Sequence, residues 1–137
     1  MALTRWDWDA LRAGASVALV FAVPLTLAAA FVDSDSSGTN ALFFFGALLG
    51  FVLGSGCAAW VQRAGTPLSH GIVTASGTYL AAQAVFVVIR LIGGDTVNWY
   101  SVFFTLMIVV GAGLLGGFLG MRLQRRGIVP SSRRGAA

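Results

Sequence analysis

Four apolar runs, residues 13–32, 41–61, 69–92 and 99–121, constrain this chain more than anything else in its sequence. Each approaches or exceeds the ~20 residues that cross ~30 Å of hydrocarbon at ~1.5 Å per residue. Within hydrocarbon every backbone N–H and C=O must be satisfied by the chain itself, so consecutive runs of this length become helices. Composition excludes the soluble alternative. With 57% hydrophobic and 10% charged residues in 137, and a mean hydropathy of +0.83, the chain lacks the polar surface a water-soluble domain needs. The expected fold is all-α: a polytopic membrane protein built as a four-transmembrane-helix bundle over residues 13–121. A short amphipathic N-terminus (1–12) precedes it and a basic tail (122–137) follows.

The third run carries polar side chains at a fixed interval. Ser69, Ser76, Gln83 and Arg90 recur every seven residues, close to two helical turns, and so form a slowly drifting row. Polar groups facing lipid are costly, so this row is expected to face other helices as a polar interior. Interhelical hydrogen bonding is the expected role of Ser76 and Gln83. Arg90, three residues before Gly93, is expected to extend its guanidinium to the membrane surface, with Asp95 or Asp33 as its partner.

Small residues form ridges along the other runs. The second carries Gly46, Gly50, Gly54 and Ala58 at four-residue spacing, and the fourth pairs Gly113 with Gly117 and Gly116 with Gly120. The first offers Gly14, Ala18, Ala22, Thr26 and Ala30, and the third Gly77, Ala81 and Ala84. Such ridges let backbones approach, so van der Waals packing holds the helices together where lipid removes the hydrophobic drive. These glycines are the expected helix-packing residues.

Polar segments separate the runs. Residues 33–40, rich in Ser and Asp, read as a surface loop, and residues 62–68 as a short turn. Before the first run, Thr4 is a candidate helix cap and Trp6 and Trp8 candidate interfacial anchors; Pro24 is expected to kink the first helix. Arg5 and Arg12 before an apolar core, with Ala28-Ala29-Ala30 as a cleavage pattern, raise the alternative of a signal peptide. Two Asp and two Trp ahead of a run of full membrane length favour retention.

Arginine decides the expected orientation. Arg5, Arg12, Arg63, Arg122, Arg125, Arg126, Arg133 and Arg134 fall on one side against Arg90 alone, which makes both termini cytoplasmic. Arg122, Arg125 and Arg126 are expected to meet anionic lipid headgroups. Nothing aromatic or folded accompanies the tail's charge, so nucleic acid is not an expected partner. Lys and Glu are absent while Ala, Gly and Val abound, a usage typical of a GC-rich bacterial genome; the inner, or cell, membrane is the expected location. An internal echo is also present, since Gln62-Arg63-Ala64-Gly65 and Gln124-Arg125-Arg126-Gly127 both follow glycine-rich helices, as a duplicated hairpin would.

Residues 41–123 resemble the small four-span bacterial membrane proteins called YrzE-like. The resemblance rests on Gly50-x3-Gly54 with Ala59, on Gln62-Arg63-Ala64-Gly65, on Ser69-His70-Gly71, and on Gly113-x2-Gly116-Gly117-x2-Gly120. It implies a four-helix integral membrane protein and brings neither an activity nor site residues.

Reactive groups are sparse. His70 is the single histidine and Cys57 the single cysteine, the latter read as a small buried hydrophobe. A proton relay through His70, Thr74, Thr78 and Gln83 is conceivable, but a wetted or capping histidine at the membrane surface is the expectation. No cofactor and no metal site are expected, and no catalytic residues are assigned. The chain is therefore expected to be a structural or accessory membrane protein that forms a homo-oligomer or joins a larger membrane complex. The alternative is a minimal oligomeric transporter or channel with Ser76 and Gln83 along its pathway.

Overall fold

Residues 5–32 and 35–131 are described by a computed structural model, and they form four helices: α1 (Trp8–Phe31), α2 (Ser37–Val61), α3 (Pro67–Ile92) and α4 (Trp99–Arg125). All four are long and apolar enough to cross a membrane. The described residues thus form an all-helical, four-span bundle. The starts of α1 and α3 meet the ends of α2 and α4 at one end, here the terminal end; the α1–α2 and α3–α4 connections lie at the loop end.

Polar caps make the helices longer than the apolar runs. Asp7 starts α1 by accepting the Ala10 N–H on Oδ1 at 3.1 Å, so the helix begins inside the segment expected to precede it. The candidate cap Thr4 lies outside the described residues. Ser36 accepts the Thr39 N–H at 3.4 Å, which turns residues 37–40, expected as loop, into the first turn of α2. Pro67 opens α3 at a position where its missing N–H has no helical partner. Asn98 caps α4 through the Ser101 N–H at 3.2 Å. The far end of α4 extends to Arg125, which brings Arg122 and Arg125 into a last turn whose exposed carbonyls favour cations. Proline does not end α1, which runs through Pro24.

α2 is the hub. It packs against all three other helices, α3 touches α1, α2 and α4, and among the described residues α1 and α4 do not meet. Two faces of α2 do this work. Gly46, Gly50 and Gly54 face Leu25, Phe21 with Ala18, and Gly14 of α1 respectively. Ser55, Gly56 and Ala59 face Gly116 and Gly120 of α4. At the α1–α2 crossing a Cβ added to Gly54 would lie 2.5 Å from the Gly14 carbonyl oxygen and 2.8 Å from the Ala18 Cβ, well inside van der Waals contact. Backbone therefore rests on backbone.

α3 meets α4 through Gly71 and Ala75 against Gly113 and Gly117. A Cβ on Gly71 would stand 2.7 Å from the Gly113 carbonyl oxygen, and one on Gly113 3.0 Å from the Ala75 Cβ. This corrects the small face expected for the third span. Gly77 has nothing within 4 Å of an added Cβ, and Ala81 and Ala84 are exposed. The same correction holds on α1, where Gly14, Ala18 and Ala22 are buried but Thr26 is exposed.

Candidate functional site

The polar row of the third span does not form the inner wall. Ser69 and Arg90 are exposed, and Ser76 and Gln83 are half-buried. The buried face of α3 is His70, Gly71, Thr74, Ala75, Thr78 and Tyr79. At ~100° per residue Ser69 points almost opposite to that face, and a seven-residue row then drifts ~20° per heptad, so only Gln83 and Arg90 swing toward the neighbouring helices. Ser76 tolerates the outer position because its hydroxyl donates to its own helix, to the Ile72 carbonyl at 2.6 Å.

At the terminal end His70 is fully buried, not wetted as the sequence suggested. The Asp7 N–H donates to His70 Nε2 at 3.0 Å. A backbone N–H can only donate, so Nε2 accepts and the proton sits on Nδ1, which donates to the Thr66 carbonyl at 2.8 Å. The Trp6 ring covers the imidazole at 5.3 Å between centroids. Asp7 is a double anchor, because its Oδ2 also accepts the Arg63 N–H at 3.0 Å. One carboxylate thus caps α1 and ties it to the α2–α3 turn, while the imidazole ties it to α3.

The repeated Gln-Arg-x-Gly segments come together beside this lock. Gln62, 2% exposed, donates from Nε2 to Gln124 Oε1 at 3.3 Å. Gln124 Nε2 in turn donates to the Trp60 and Gln62 carbonyls at 2.9 and 3.0 Å, closing the end of α2 that its own helix leaves open. Gly65 and Gly127 take positive φ, 77° and 70°, the left-handed turn that glycine permits at least cost. The indole N–H of Trp60 donates to the Ile128 carbonyl at 2.7 Å, folding the start of the tail back over α2. Arg122, Arg125 and Arg126 are exposed on the same end, Arg122 lying 5.0 Å over the Phe118 ring. Arg133 and Arg134 lie outside the described residues.

Toward the loop end a crevice of about 590 Å³ opens among all four helices. The α1–α3 contacts through Asp7 and His70 and through Gly14 and Thr74 lie at the opposite end. Tyr79, Gln83, Arg90, Asn98, Ser101 and Thr105 supply its polar wall, and Leu19, Val23, Leu27, Phe44 and Phe86 much of the rest. The Tyr79 hydroxyl donates to the Val102 carbonyl at 3.0 Å, with Gln83 and Thr105 beside it, and its ring meets the edge of Phe51 at 6.4 Å. Arg90 lines the crevice without an ion pair among the described residues. The expected partner Asp95 instead continues the helix end, its N–H donating to the Arg90 carbonyl at 2.9 Å; Asp33 lies outside the described residues.

Between lock and crevice Ala75 and Ala112 pack with Val109, which also lines the crevice, and with three buried hydroxyl side chains, Ser55, Thr74 and Thr78. The Thr74 hydroxyl, buried at the lock's inner edge, is the one buried side-chain polar atom without a hydrogen-bond partner among the described residues. Among those residues no three His, Cys, Asp or Glu side chains converge. Crevice polar groups donate and accept hydrogen bonds and carry one positive charge. Comparison with protein-family models, with curated proteins and with solved structures finds no match to this chain.

Proposed function

We propose that the chain is a small multi-pass protein of a bacterial cell membrane with a structural or accessory role, a compact helical unit that assembles with copies of itself or joins a larger membrane complex. The observation that carries this reading is the close packing between the terminal lock of Asp7, His70, Gln62 and Gln124 and the loop-end crevice, where Ala75, Val109 and Ala112 pack together and the buried Ser55 hydroxyl is taken up by the Phe51 carbonyl at 2.6 Å. A hydrated path from one face to the other would have to cross that layer. In this reading arginine distribution sets both termini in the cytoplasm, where Arg122, Arg125 and Arg126 meet anionic headgroups. No catalytic role is assigned. Purification in mild detergent, with identification of what co-purifies at fixed stoichiometry, tests it. A stoichiometric membrane partner or a defined homo-oligomer is expected, and a lone monomer with no partner under any mild extraction contradicts it.

One observation favours a second reading, a minimal transporter: Gln83 lines the crevice. Ser76 does not share that position, being bonded to its own helix. The readings part at Gln83→Leu. A structural role predicts a modest loss of stability, ~0.5–1.5 kcal/mol for the Gln83 bond with the Tyr79 hydroxyl of the same helix, and background flux in proteoliposomes before and after. Saturable flux in the parent that a folded Leu variant loses would replace the accessory reading by the transporter.

A further inference from the structure

The crevice is amphipathic along its length. At its mouth stand Arg90, near the C-terminal end of α3, and Asn98, which caps α4 through its Oδ1 and keeps its NH2 for another acceptor. About three turns deeper along α3, or ~16 Å, buried Tyr79 with Phe51 closes its inner end. Leu27, Phe44 and Phe86 line the crevice and are exposed, and α1 and α4, both on its wall, do not meet among the described residues, so the cavity opens sideways on the surface that faces lipid. A guanidinium without an ion pair among the described residues, at membrane-surface depth above an apolar slot, has the charge and shape complement of an anionic amphiphile.

We infer that this crevice binds one acyl chain of an anionic phospholipid from the leaflet at the loop end, with Arg90 and the Asn98 amide holding the phosphate. Its volume of about 590 Å³ lies within the ~300–1,000 Å³ of ligand sites. A helix from a second copy would bring no acid to Arg90, because none of the four apolar runs contains Asp or Glu, whereas an anionic lipid supplies both the phosphate and the slender chain. The inference requires only that the chain spans a membrane, and it stands apart from the accessory role.

The test uses the full chain, delipidated in detergent and titrated with phosphatidylglycerol or phosphatidylcholine of identical acyl chains, bound lipid being counted by native mass spectrometry. The first phosphatidylglycerol should bind in preference to phosphatidylcholine. Arg90→Gln, at an exposed position, should reduce that preference about fivefold, the factor that ~1 kcal/mol per arginine at an anionic surface represents. Ala82→Phe, which fills the slot, should reduce first-site binding of both lipids, whereas Gln replacements at Arg122, Arg125 and Arg126 together should leave the first-site preference in place. An unchanged preference in Arg90→Gln overturns the inference, as does its loss in the tail variant, and so does unchanged first-site binding in a folded Ala82→Phe, which would mark the lipid as annular. Should Ala82→Phe fail to fold, the Arg90→Gln result decides alone. A homodimer whose formation excludes the first lipid would assign the crevice to a second copy and equally overturn it.

Discussion

Alanine at position 54 tests the backbone contact between α1 and α2. Its Cβ would lie 2.5 Å from the Gly14 carbonyl oxygen, 2.8 Å from the Ala18 Cβ and 2.9 Å from the Ala18 nitrogen. Carbon contacts relax near ~3.5 Å, so α1 and α2 must part by roughly 0.7–1 Å, a gap that forfeits a quarter to a half of each dispersion well along the seam. Overpacking of this kind costs ~1–3 kcal/mol. Removing a helical glycine returns ~0.5–1 kcal/mol of backbone entropy, which leaves a net loss of about 0–2.5 kcal/mol, centred at ~1 kcal/mol, by difference of these ranges. Gly77→Ala should show only the gain, because nothing lies within 4 Å of its added Cβ. Gly46→Ala should fall between, since its obstacle is the flexible end of Leu25, 2.8 Å away. Thermal unfolding in detergent reads the series, with Cys57, the single thiol and half-buried, reporting exposure through a fluorogenic maleimide. For a chain of this size 1 kcal/mol corresponds to ~3–5 °C. The order Gly77→Ala above parent, Gly46→Ala near parent and Gly54→Ala below is expected. Equal shifts at positions 54 and 77 would refute backbone contact between α1 and α2.

The terminal lock gives two further expectations. His70→Ala leaves the Asp7 N–H without its acceptor in a buried setting and should cost ~1–3 kcal/mol, seen as a lower unfolding midpoint; in the parent, nitrogen NMR of the imidazole should report a neutral ring protonated on Nδ1. A charged ring, or a proton on Nε2, would contradict the assigned bond from Asp7. Gln62→Leu and Gln124→Leu should each destabilise, and the double variant should cost less than their sum by ~0.5–1.5 kcal/mol, because both single changes remove the same Gln62–Gln124 bond. Strict additivity in the double-mutant cycle would mean that the two amides do not interact.

Much of this architecture is legible in the sequence because bilayer thickness and backbone hydrogen bonding admit few alternatives. Four runs of membrane length leave a helical bundle, and i, i+4 glycines on the second and fourth runs mark faces where backbones touch, as Gly54 and Gly116 do. The third span misleads for a physical reason. A seven-residue polar row seems to define a face, yet a serine that bonds to its own helix, as Ser76 does, carries no information about which way lipid lies. The i, i+4 series His70, Thr74, Thr78 held the better signal, coinciding with Gly71 and Ala75. Helix ends are missed where short polar side chains act as caps, since Ser36 extends α2 into the expected loop and Asp7 extends α1 into the amphipathic segment before the first run. Neither the lock nor the crevice is visible from periodicity, because Asp7, Arg63 and His70 meet only after three helices have packed. The repeated Gln-Arg-x-Gly could have hinted at one contact, as its two glutamines bond to each other.

The most direct test of the four-span arrangement is sidedness. Single cysteines replacing Asp35, Ala64, Thr96 and Ser131, all exposed positions at helix ends or in connections, are introduced in a Cys57→Ala background and labelled in intact cells and in inverted vesicles with a membrane-impermeant maleimide. Positions 35 and 96 should label from one side, and positions 64 and 131 from the other, with the second pair cytoplasmic. Labelling of positions 64 and 96 from the same side would mean that α3 does not cross the membrane and would contradict the account at its root.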